Sequence, residues 1–150
     1  MRRAFILPFN ESRRLHVRAY RAQQWDHREV CGVVAADADR RIILHFLRNG
    51  SETPGHFELD HRELRRLQGG LRRSGQLFIG IFHSHVVGTA EPSAGDLAGA
   101  WMSHLQLVYD VCGRETRLWR VMRRGRRLSA REVPLITERR PLTSRWSRPA

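Results

Sequence analysis

The stretch QLFIGIFHSHVVGTAEPSAGD, residues 76–96, decides how this chain is read. Its first ten residues are an apolar run rich in β-branched and aromatic side chains, preceded by Gly75, which is the pattern of a buried strand. Residues two apart on a strand share a face, so His83 and His85 project together from its end while Ser84 points the other way. After the loop VVGTAEP come Ser93 and, three residues on, Asp96, which read as the start of a helix. Two imidazoles on one face are half of a tetrahedral site. A carboxylate delivered from the following helix start supplies a third protein ligand and leaves one position for water, the open pattern of a catalytic zinc. Plainer readings exist for each part. A His-x-His pair can be two hydrogen-bonded core histidines, and Ser93 with Asp96 can be a capping pair alone. The roles are compatible, although a carboxylate bound to metal cannot be spent fully on capping.

Working outward, AFILPF (4–9) predicts a first strand and ESRRLHVRAYRAQQW (11–25) a helix with Leu15, Ala19 and Ala22 at helical spacing. VCGVVAA and RIILHFL, separated by the turn-forming DADR, predict a hairpin. NGSETPG (49–55) is a loop. Asp60 and Glu63 look like a capping box for a second helix carrying Leu64, Leu67 and Leu71, expected to fray at Gly69, Gly70 and Gly75. A short helix over EPSAGDLAGAWM and strands over LQLVYDVC, TRLWRV and RLSAREV complete the order. Helices and strands mix without strict alternation, which predicts a single α+β domain with a mixed sheet flanked by helices. The domain is expected over residues 1–136, with 137–150 a basic C-terminal tail.

If a metal sits at His83, His85 and Asp96, its water still needs a base. Glu29 is the candidate, because a side chain at the head of the VCGVV strand can reach a metal held at the neighbouring strand's end. Zinc lowers the pKa of bound water to about 7 and polarises a carbonyl. Ser93 would offer its hydroxyl to the oxyanion of the tetrahedral intermediate. Asn49, ending the RIILHFL strand, is read as a turn former and not as a site residue.

Composition narrows the alternatives. At 150 residues and 41% apolar content the chain suits one soluble domain, and no apolar run approaches the roughly 18 residues of a membrane span. The opening MRRAFILPFNESRR lacks a signal-peptide core, so a cytoplasmic location is expected. Cys31 and Cys112 both fall in apolar runs and read as buried, reduced thiols, with no Cys-x-x-Cys pair to suggest a thiolate metal site. The formal charge of +12, carried by arginine, raises nucleic acid or an acidic partner. The arginines are spread through helices, turns and tail without the aromatic interleaving of single-strand platforms.

His-x-His, seven residues, Ser, two residues, Asp, with an upstream Glu heading an apolar strand, resembles the signature of the JAMM (MPN+) metalloproteases. REVCGVV, RNGSETPGHFELDHREL and IGIFHSH resemble the segments around it, so the likeness spans about residues 4–110. The resemblance implies the JAMM/MPN, cytidine-deaminase-like fold and a zinc peptidase or isopeptidase of the compact prokaryotic type. It implies Zn2+ held by His83, His85 and Asp96, with Glu29 as general acid/base and Ser93 in oxyanion support. Val86 departs from the proline common after the second histidine. The implied partner is a ubiquitin-like or sulfur-carrier protein with a Gly-Gly tail, entering as an extended strand. Competing readings are a metal-free binding module on the same fold, a nucleic-acid-associated domain, and a cell-wall or phage-tail peptide hydrolase.

Overall fold

A computed structural model describes residues 3–99 and 105–140. VCGVVAA and QLFIGIFHSH carry apolar side chains on both faces, and both become central strands for that reason. In chain order the elements are β1 (Phe5–Leu7), α1 (Phe9–Asp26), β2 (Cys31–Ala36), β3 (Ile42–Leu47), α2 (His61–Arg73), β4 (Leu77–His85), α3 (Ala94–Ala98), β5 (Leu105–Asp110), β6 (Glu115–Arg124), β7 (Arg127–Val133) and β8 (Leu135–Thr137). Six strands form one sheet in the order β3-β2-β4-β5-β6-β7, and β1 pairs with β8 in a two-stranded ribbon. Within the larger sheet the neighbours are antiparallel except β4 and β5, which run parallel. The mixed α+β single domain expected from the sequence is therefore the fold observed.

The sheet separates two apolar layers. Val34, Ala36 and Phe82 pack with Leu15 and Ala19 of α1, while Val33 and Ala35 pack with Leu64 and Leu71 of α2. A bulge makes this possible on β4: Val34 pairs with Gly80 but Ala35 with Phe78, so Ile79 is the extra residue. Phe78 then packs with the α2 layer and Phe82 with the α1 layer, although they are four residues apart. At Gly80 the parallel seam is tight, since a Cβ there would sit 1.9 Å from the Leu105 carbonyl oxygen.

Several boundaries differ from the sequence reading. The first strand is three residues long, and Pro8 is already the N-cap of α1. Helix α2 does not fray at Gly69 and Gly70; burial of Leu71 carries it through them to Arg73, and Gly75 takes the turn with φ of 73°. Its N-cap Asp60 accepts from the Arg62 and Glu63 N–H groups. Cys31 is buried as expected, but Cys112 is exposed. The strand ends before it, because the Asp110 carboxylate accepts the Cys112 N–H and starts a turn. Strand β8 continues to Thr137, one residue into the expected tail, and Glu138 pairs with Arg41 at 2.6 Å. Residues 141–150 of that tail and 100–102 of the expected third helix lie outside the described residues. No helix among the described residues is long and apolar enough to cross a membrane.

Candidate metal centre

His83 and His85 end β4 on the α2 side of the sheet, where the parallel strands β4 and β5 leave room at their C-terminal ends. Asp96, in the first turn of α3, meets them there. The Nε2 atoms of His83 and His85 are 3.0 Å apart, and each is 3.0 Å from Asp96 Oδ2. Tetrahedral coordination with bonds of about 2.0–2.1 Å places ligand atoms about 3.3 Å apart, so the donor set fits one zinc-sized ion with little movement. Among the described residues these three form the one cluster of His, Cys, Asp and Glu side chains able to share an ion.

The surroundings orient the donors. His85 Nδ1–H donates to the Thr89 carbonyl at 2.7 Å, which leaves Nε2 of the neutral ring with its lone pair facing the cluster. The Phe57 ring stacks on His83 with centroids 4.5 Å apart and planes 18° from parallel. Complete burial lowers the His83 pKa, against the raising effect of Asp96. For His85 burial also lowers the value, but hydrogen bonds to Asp96 and Thr89 outweigh it and the pKa is raised. Burial would raise the Asp96 carboxyl, yet the hydrogen bonds from both histidines and from the Ser93 N–H hold it far below the usual carboxylate range. The ionised Asp96 carboxylate suits a divalent cation, whose binding would displace any proton held on the histidines.

Glu29 reaches the centre by strand register. Cys31 pairs with His83 and Gly32 with Phe82, so the antiparallel ladder continued by two residues sets Glu29 opposite His85 on the same face. The continuation is held by Ser84, whose N–H donates to the Val30 carbonyl at 3.0 Å and whose Oγ accepts the Val30 N–H at 2.9 Å. Glu29 is 5% exposed, and its Oε2 has no hydrogen-bond partner among the described residues. Burial pushes its carboxyl up to about 8, with His85 pulling down and Asp96 pushing up. A buried carboxyl with an unpartnered oxygen beside the cluster is poised to exchange a proton near neutral pH.

The sequence profile of the prokaryotic homologs of the JAB domain matches residues 13–123, a span that includes Glu29, His83, His85, Ser93 and Asp96. The chain belongs to the prokaryotic JAB family. Two desampylases are similar to it. That of Pyrococcus furiosus is 34% identical over 71 residues, 47% of this chain and 51% of the relative. That of Haloferax volcanii is 34% identical over 92 residues, 59% of this chain and 66% of the relative. The matched stretch thus spans about half to two thirds of these curated relatives. The solution structure of a Desulfitobacterium hafniense protein shares the fold, with a TM-score of 0.66 and 23% identity over 91% of this chain and 94% of that one.

In this JAB chain Ser93 is the N-cap of α3. Its Oγ accepts the Asp96 N–H at 3.1 Å, while the Ser93 N–H donates to Asp96 Oδ2 at 2.8 Å. One carboxylate oxygen therefore serves both the cap and the histidine cluster, and the capping bond, in which Ser93 Oγ accepts, does not use the hydroxyl proton. Ser93 and Asp96 line a cleft of about 370 Å³ that Phe57, Leu64, Ile81 and Leu105 make largely apolar. Two further residues lie near the JAB centre: Asn49, which the sequence reading set aside as a turn former, and Phe57, which it did not single out. Asn49 is a hub: its Nδ2 donates to the Glu29 and His56 carbonyls, and its Oδ1 accepts from Ser51 and Glu58. Phe57 closes one side of His83. Asn49 carried a signal as a loop asparagine next to glycine, but its attachment to Glu29 depends on a fold that brings position 49 back to position 29.

Proposed function

We propose that this chain is a zinc-dependent peptidase or isopeptidase that hydrolyses the bond after the C-terminal glycines of a ubiquitin-like or sulfur-carrier protein. The reading rests on one observation: two imidazole nitrogens and one carboxylate oxygen mutually 3.0 Å apart, with a buried glutamate on the same face whose Oε2 has no partner among the described residues. His83, His85 and Asp96 would hold the ion. When bound, zinc makes hydroxide available near pH 7 and polarises a carbonyl. Glu29, opposite His85, accepts the proton of the attacking water and returns it to the leaving amine, a task for which a pKa near the working pH is best. The Ser93 hydroxyl donates to the developing oxyanion, held in place by the capping bond from Asp96. The apolar cleft beside them excludes water and receives an extended chain.

The similarity to two proteins named desampylases supports a substrate of the ubiquitin-like class. A glycine-only tail suits a narrow approach to the centre. The test is hydrolysis of a Gly-Gly-tailed carrier fused to a reporter, with one zinc bound per chain. Hydrolysis that chelator abolishes and zinc restores is the expected result; a zinc-loaded chain inert on every carrier-tailed and peptide substrate would sink the proposal.

A further inference from the structure

The third ligand hangs on the loop 86–93, in which Pro92 alone restricts the backbone by its own ring. It carries Gly88 with φ of 124°, and Val86 stands where a proline would restrict the backbone. Two consecutive carbonyls of this loop are instead held from the sheet. That of Thr89 accepts from His85 Nδ1 at 2.7 Å, and that of Ala90 accepts from the Trp119 indole Nε1–H at 2.7 Å. Trp119 is on β6, two strands away from β4, and pairs across the sheet with Gln106 of β5. Both Trp119 and Ala90 are buried, so the bond is shielded from water. Gln106 donates to the Asp96 carbonyl at 3.2 Å, which ties α3 to the same patch of sheet.

We infer that Trp119 is a positioning residue for the metal centre: its indole N–H fixes Ala90, and through the adjoining Thr89 carbonyl and the Ser93 cap it sets both the orientation of His85 and the place of Asp96. Trp119 touches neither metal nor substrate. Its effect is that of an outer hydrogen bond, the kind whose loss typically costs about 10–100-fold in metal affinity. The inference rests on the zinc reading above and extends it to a residue outside the family signature.

The experiment compares Trp119→Phe with Trp25→Phe, which removes an exposed indole elsewhere. Zinc affinity is measured by chelator competition on folded protein, and the coordination sphere by the visible spectrum of the cobalt-substituted form. Trp119→Phe should bind zinc about 10-fold more weakly or worse, with an altered cobalt spectrum, while Trp25→Phe matches wild type. Equal affinity and an unchanged spectrum in Trp119→Phe would overturn the inference. Wild-type protein that binds no zinc would instead remove the metal reading and this inference with it. Should Trp119→Phe not fold, the wild type still decides. Coupling is reciprocal, so zinc must slow hydrogen exchange of the Trp119 indole N–H by the factor that the indole adds to zinc affinity. Exchange at that proton indifferent to zinc overturns the inference without any mutation.

Discussion

At the scale of single residues, Glu29 is a group whose surroundings work against the folded state. Its pKa is raised, so between the ordinary carboxylate value and about 8 the metal-stripped fold keeps a proton that the unfolded chain has released. Stability is then lost as pH rises through that window. Glu29→Gln abolishes the titration, and the melting temperature of its metal-stripped form should exceed that of wild type by a margin that widens from about pH 5 to about pH 8. The same substitution should retain zinc and lose about 10²–10⁴-fold in kcat. A calorimetric pH series and a steady-state assay check the two halves. The cysteines give a simpler measurement. Cys112 is exposed, whereas Cys31 is buried and its thiol is pushed up to about 12, chiefly by burial and further by Glu29. Iodoacetamide should modify Cys112 in the native protein and Cys31 only after unfolding, as mass spectrometry would resolve.

Among the elements, α3 is too short to be stable alone and depends on its cap. Ser93→Ala should cost about 1 kcal/mol of stability by removing that cap, and about 10²–10³-fold in kcat by removing the oxyanion donor proposed above. The two losses separate in a denaturation curve and an assay. Helix α2 is held by its apolar face, and Leu64→Ala should destabilise the fold by about 2–5 kcal/mol in urea titration. The elements were mostly legible beforehand because period-2 and helical patterns are local. HSHVVGTAEPSAGD encodes its geometry within fourteen residues, so the strand, the loop and the cap could be read together. What stayed hidden was non-local. Strand β8 has three residues and finds its partner β1 at the other end of the chain. Asn49, Phe57 and Trp119 reach the surroundings of the centre only because the fold brings three distant segments to it. Cys112 was misplaced because an apolar run outlasted the strand it belonged to.

For the molecule as a whole, metal and fold should be linked. A ligand that binds only the native state adds about 2.7 kcal/mol at one hundred times its dissociation constant, so zinc should raise the melting temperature and a chelator return it. If the proposed carrier is acidic, the charge of +12 should make its docking weaken as ionic strength rises. A steep salt dependence for DNA or RNA instead would favour a nucleic-acid partner. All 27 basic residues are arginine, so this stretch offers no lysine side chain to which a carrier could be attached by an isopeptide bond. The Val30–Ser84 pair has a wider consequence. It acts as a vernier stop between two strands whose lengths alone would let them slide, and a shift by one residue would turn Glu29 to the far layer while leaving His83, His85 and Asp96 where they were. A relative could in this way become an ion-loaded, catalytically silent protein with an unaltered signature, and its dormancy would be written in the pairing of its strands.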